Sequence, residues 1–320
     1  MLLRNSLKLV PALVLSLCAA VSYAAQLSSD ARAAIPRDVR QLVVIDYRAM
    51  QNSDTAMQLR DRVIPPELKQ FDEALRKSGL NDNHDVDQLA FALFHPSSAK
   101  DADENVTLGI AQGQFDTDTI LAGFKKRGIK PQLIRTSKIY PMAKSGMMLC
   151  FLDQSTMIFG GIDAIKASLD AHDGNQQNLL ANSTLMDAMR STDSEALWSV
   201  LDAAGTQNMM KGVLGEAGSV ADYESVRKRL QVSWYGMDFS HGVKFDLTIV
   251  TGDSFAAATI SSLLNAAVLY KKTTGDNTEK VALAGTDVSS SAGKLLVTFN
   301  ATDNDFASLL KSSLFQSMVR

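Results

Sequence analysis

Apolar and polar positions along this chain change period many times, and each change marks an element. "RQLVVIDYRAM" is a first strand, with Val43, Val44 and Ile45 in a buried run. Ser53 or Asp54 then caps a helix that ends near Ile64, where Pro65 and Pro66 remove backbone donors and interrupt it. A second helix starts at Pro66 with Glu67 at its positive end, carries Leu68, Phe71 and Leu75 on one stripe, and closes at Gly79. Two strands follow, "DQLAFALF" and "NVTLGIAQGQF", joined by a polar loop from His95 to Glu104. Asp116 or Thr117 caps "DTILAGFKKRG", acidic at its start and basic at its end, as the helix dipole favours. "PQLIRTSKIYPM" is a strand, "GMMLCFLDQSTMIFGG" a hairpin turning at Asp153-Gln154-Ser155, and "IDAIKASLDAH" a helix.

The order then repeats. "EALWSVLDA" is a strand and "TQNMMKGVLGEAG" a helix, with a further helix in "ADYESVRKRL". "QVSWYGMDFSHGVKFDLTIVTG" is a hairpin turning at Ser240-His241-Gly242, and Asp253 or Ser254 caps "SFAAATISSLLNAAVLYKK". Strands "VALAGTDVSS" and "GKLLVTFNAT" precede a last helix carrying Phe306, Leu309, Leu310 and Leu314. Both halves thus run strand, helix, hairpin, helix, hairpin, helix. The best internal match sets "LGIAQGQFDTDTILAGF" against "FDLTIVTGDSFAAATISSLL". The expected fold class is α+β, a duplicated unit of mostly antiparallel sheet with helices packed on one face. The expected division is a signal peptide over 1–24, a linker over 25–36, and repeats over 37–175 and 190–320, joined near "HDGNQQNLLANS".

The chain resembles a group of uncharacterised exported bacterial proteins with duplicated α+β repeats. The likeness rests on a helix ending in "GL" before Asp85-Val86-Asp87 and a strand, and on "FLDQSTMIFGG" leading into "IDAIKASLD". It implies the fold and export, and carries no activity.

The first residues read as an export signal. Arg4 and Lys8 supply a positive start, "LVPALVLSLCAAV" an apolar stretch shorter than a membrane span, and "SYA" a cleavage tripeptide ending at Ala24. Lipidation at Cys18 is disfavoured by the bulky Leu17 before it. Removal of this leader leaves Cys150 alone, so no internal disulfide is expected and Cys150 reads as a small buried hydrophobe. The short basic leader suggests a bacterial envelope, periplasmic or extracellular. Asn105, Asn182 and Asn300 would be glycan acceptors in a eukaryotic secretory route. The formal charge of −3, or 30 basic residues against 35 acidic without the leader, gives no global attraction to nucleic acid.

Motifs with chemical content are few. Asn81, Asn83, Asp85 and Asp87 alternate like calcium ligands, but positions six and twelve of that loop would be Val86 and Ala92, where glycine and a carboxylate are required. A turn whose side chains bond their own backbone fits better. His84, His95, His172 and His241 lack zinc spacing. Ser-x-x-Lys occurs at Ser97, Ser225, Ser291 and Ser308 without a following Lys-Thr-Gly, and no Gly-x-Ser-x-Gly elbow exists. Gly160-Gly161 lacks the third glycine of a dinucleotide site and the lysine of a phosphate loop. Basic residues gather at Lys125, Lys126, Arg127, Lys130, Arg135 and Lys138, and again over 227–229, as solvated helix ends or as a patch for an anionic polymer or lipid headgroup. The uncharged helix from Ser254 to Tyr270 has a one-sided stripe and reads as packed on a sheet rather than spanning a membrane. Met147-Met148 and Met209-Met210 either line an adaptable groove or fill the core.

The expectation is therefore an exported soluble protein of the periplasm or cell envelope that binds or scaffolds without catalysis, through a groove between its two lobes. No metal or cofactor is expected. Its partner would be an apolar small molecule, a peptide or an envelope component, and not nucleic acid. The alternatives are an exported hydrolase whose site is assembled only in three dimensions, and a structural or chaperone-like envelope protein with no small ligand.

Overall fold

A computed structural model describes residues 26–51, 53–63, 85–96, 105–142, 146–214, 226–275 and 277–311, with a few positions between 64 and 84. In chain order the strands are β1 (Val39–Asp46), β2 (Val86–Phe94), β3 (Val106–Gly113), β4 (Gln132–Ile134), β5 (Ser137–Pro141), β6 (Met148–Phe151), β7 (Thr156–Gly160), β8 (Leu197–Leu201), β9 (Leu230–Asp238), β10 (Val243–Thr251), β11 (Thr286–Ser291) and β12 (Lys294–Ala301). The helices used below are α1 (Ser29–Ala33), α2 (Tyr47–Gln51), α3 (Asp54–Val63), α4 (Thr117–Lys126), α5 (Ile162–His172), α6 (Ser183–Arg190), α7 (Ala203–Leu214), α8 (Ser254–Thr274), α9 (Asn277–Ala284) and α10 (Asp303–Leu309).

All strands join one sheet in the order β11-β12-β10-β9-β8-β1-β2-β3-β7-β6-β5-β4, and every pair is antiparallel. This is the expected α+β class. Outward from the centre, the first half runs β1-β2-β3-β7-β6 and the second β8-β9-β10-β12-β11, one topology written twice, and β5 and β4 extend the first half beyond it. The halves meet where β1 pairs with β8, Val43 opposite Ser199. Their junction is therefore continuous sheet.

The sheet is covered unequally. On one face Leu42, Val44, Ala90, Ala92, Leu108 and Ile110 form a single core with α1, α5, α6 and Trp198. On the other face α4 packs Ile120 and Phe124 onto the first half, and α8 packs Ile260 and Leu264 onto the second. Helices thus cover both faces of the first half. Its β7 requires this, because all five residues from Thr156 to Gly160 are buried. One-sided covering describes β10, β12 and β11, whose polar alternate positions stay in water.

Several expected boundaries move. "DYRAM" is helix rather than strand from Tyr47, started by Asp46 Oδ1 accepting from Ala49 N–H at 2.9 Å. "PQLIRTSKIYPM" is a hairpin, turning at Arg135-Thr136 with Arg135 at φ 54. "VALA" belongs to α9, and β11 begins only at Thr286. The stretch expected as a linker forms α1, capped by Ser28 and burying Leu27, Ala31, Ala34 and Ile35. The supposed joint at 172–183 also packs, since Leu179 N–H donates to Ile35 carbonyl at 2.8 Å. Of the helix expected over 66–79 only Lys69, Glu73, Arg76 and Lys77 are described, and the residues assigned to the leader lie outside the described residues.

Candidate functional site

A cleft among the described residues lies where β1 begins and β2 ends. Pro36, Arg37, Asp38, Phe94, His95, Pro96, Ala167, Gln176 and Gln177 enclose about 260 Å³. Three distant segments build it. Residues 36–38 are held against 176–178 by a bridge between Pro36 and Asn178, and by Arg37 N–H donating to Gln177 carbonyl at 3.0 Å. The Arg37 guanidinium donates to Gln177 Oε1 at 2.8 Å, and Asn182 Nδ2 donates to Arg37 carbonyl at 3.0 Å. Phe94 closes the inner side, while Arg37, Asp38 and His95 bring the ionisable groups. The volume is a little below that of ordinary ligand pockets, about 300–1,000 Å³, and suits a small molecule or part of a larger one.

The groups whose protonation is displaced lie elsewhere and have structural work. Asp116 accepts from Thr119 backbone and hydroxyl, which holds its carboxyl below the usual range and caps α4. Asp253 does the same for α8 through Ala256 N–H, and also pairs with Arg229. Burial pushes Asp202 up although it accepts from Gly205 N–H at 2.7 Å at the start of α7. Burial raises Tyr235, opposed by hydrogen bonds to Ser199 and Gln41. Cys150 is buried and its thiol is pushed up to about 11, first by burial and then by the charge of Asp173. A thiol so placed is inert at neutral pH.

The sequence motifs are dispersed. Asp87 pairs with Arg48 at 2.5 Å, and Asp85 carbonyl accepts from Gln114 N–H at 2.9 Å. A side chain at Gly113 would stand 1.8 Å from that Asp85 oxygen, so the turn needs glycine across the strand pair. Residues 78–84, which hold His84, lie outside the described residues. Among the described residues no three His, Cys, Asp or Glu side chains are grouped to hold a metal ion. His95 lines the cleft, His172 sits 3.2 Å from Asp173 at the end of α5, and His241 sits 3.0 Å from Ser240 in the β9–β10 turn.

Ser291 faces Lys294 across a hairpin, but Lys294 lies over the Trp234 ring, and Ser308 donates to Asn304 carbonyl within α10. Neither is a serine–lysine pair; the Ser97 and Ser225 matches fall outside the described residues. Gly160, at φ 150, makes the tight passage from β7 into α5. Met148 and Met210 are buried, with Met147 and Met209 packed beside core clusters, so these pairs fill the interior. Among the described residues no helix is long and apolar enough to cross a membrane, and α8 packs on β11 with Asn265 donating to Val288 carbonyl at 3.0 Å.

The architecture defines a mixed protein of one antiparallel sheet with helices, folded twice to one plan. No family model and no curated protein matches the chain by sequence. Among solved structures it is similar to the protein called TP0453. Crystal form III gives a TM-score of 0.52 at 8% identity, covering 87% of this chain and 96% of that one. Crystal forms I and IV give TM-scores of 0.48 and 0.47, at 8% and 7% identity. This likeness shows a shared fold and nothing finer.

Proposed function

We propose that this is an exported protein of the cell envelope that acts by binding or scaffolding rather than by catalysis. The observation that carries the reading is the division of labour among its ionisable groups. Among the described residues those with displaced protonation lie away from the cleft, several of them capping helices or buried in the core, whereas catalytic sites gather such groups in a cleft. The cleft between 36–38, 94–96 and 176–177 offers shape, two prolines, Phe94 and neutral amides beside Arg37, Asp38 and His95, which suits the holding of a small or extended ligand. The apolar start of the chain supports export, and cleavage would leave Ala25 at the mature end.

The test is recovery of the protein from its native envelope fraction, with mass spectrometry of what accompanies it and of its N-terminus. The expected result is a chain beginning at Ala25 with a reproducible non-covalent companion that Ala167→Trp, which fills the cleft, displaces. Turnover of generic ester, phosphate or glycoside substrates that His95→Ala abolishes would overturn the reading in favour of a hydrolase.

A further inference from the structure

The described residues 119–142 contain six basic residues and no acidic one, in a chain of net charge −3. The fold concentrates them. Gly128 at φ 73 and the bond from Ile129 N–H to Phe124 carbonyl, 2.9 Å, wrap the chain back over the end of α4. This sets Lys130 beside Lys125 and Lys126. Phe124 meets Tyr140 of β5 with ring centroids 5.1 Å apart. Lys138 lies two residues before Tyr140, on the same side of the strand, and pairs across the hairpin with Leu133. Lys125, Lys126, Lys130, Lys138 and Leu133 therefore share one exposed surface at the end of the sheet.

Three features separate this surface from an ordinary solvated helix end. None of the four lysine side chains has a hydrogen bond or an acidic partner among the described residues, while Arg135 between them is held by Asp170 of α5 and by Asp173, which caps its end. That ion pair fixes the hairpin at a left-handed residue, so the patch is anchored rather than loose. Leu133 is 70% exposed in its midst. We infer that this surface docks the protein peripherally on an anionic lipid bilayer, with the lysines at the headgroups and Leu133 at the acyl boundary. A fully polar polyanion has no use for the leucine, and among the described residues no exposed aromatic side chain accompanies the lysines to stack on sugars or bases. An acidic peptide adding to the sheet edge would find only three residues of β4, preceded by Pro131.

The inference stands apart from the cleft and its ligand. It is tested by flotation of the protein recovered from the envelope fraction, comparing vesicles containing phosphatidylglycerol with vesicles of phosphatidylcholine alone. The ratio of binding to the two should be large at low salt and collapse at high salt. Replacing Lys125, Lys126, Lys130 and Lys138 together by Gln should lower it by roughly 600-fold, since each lysine near such a surface contributes about fivefold. Replacing Lys211, Lys228, Lys280 and Lys311 by Gln should leave it within about threefold. Leu133→Ser should lower binding roughly tenfold. All these positions are exposed, so thermal melting should be the same for every variant. Equal loss with both lysine sets, an unchanged Leu133→Ser, or displacement from vesicles by soluble polyphosphate with no dependence on Leu133 would each overturn the inference.

Discussion

The two halves share a topology and differ in what covers it. On one face of the first half, the row Val44, Ala90, Ile110, Ile158, Cys150 runs outward from the centre and is buried throughout. On the same face of the second half, the corresponding row is Val200, Trp234, Thr248, Leu296, Ser289. It begins buried and ends in water, with Leu296 at 36% exposure. The closing helices follow suit. After β7, α5 buries Ala164, Ile165 and Leu169 on this face, whereas after β12, α10 buries Phe306 and Leu310 on the opposite one, against α3. The lesson is that topology and covering are specified separately. Strand order is common to both halves, and alternate side chains of the last hairpin decide where the helix goes.

Truncating corresponding residues of the two rows should break this symmetry most visibly. Ile158→Ala should cost about 2–5 kcal/mol, because it leaves a cavity in a closed core. Leu296→Ala should cost about 0.5 kcal/mol or less, at a position open to water. Urea denaturation of both variants measures the contrast, and equal losses would mean that the second half is covered after all.

A smaller effect concerns Glu195, beside the open part of the second half. Its carboxyl is raised first by burial, then by Asp238 and Asp246, with Lys244 opposing. A carboxyl with a folded value above its ordinary 4.5 loses stability as pH rises through that folded value, because folding then disfavours the charged form. Glu195→Gln should therefore leave the melting temperature unchanged near pH 4 and raise it slightly at pH 7. Melting curves across that range decide it. A variant less stable at neutral pH would show that the charge is used.

Most of the fold was legible because its signals are local. The Asp116 and Asp253 caps, the turns at Asp153-Gln154-Ser155 and Ser240-His241-Gly242, and the alternating strands all lie within a few residues. The errors came where local chemistry misled. Arg135 occupies a left-handed turn position that normally announces itself with glycine or asparagine, so the β4–β5 hairpin looked like one strand. α6 was missed although Asn182 caps it and Leu185 and Met189 stand four residues apart on its buried side. The cleft could not be read at all. Its walls come from residues 36–38, 94–96, 167 and 176–177, and only packing of the chain's start against the joint between halves unites them.

The unequal covering of the two halves is tested most directly by two thiols at corresponding positions, Cys150 and the one introduced by Ser289→Cys, in a chain carrying Cys18→Ser. Cys150 is buried with its thiol pushed up to about 11, while Ser289 faces water. At pH 8 a soluble disulfide reagent should modify the introduced thiol within seconds to minutes and Cys150 only on unfolding. Modification of both at comparable rates in the folded protein would contradict the account.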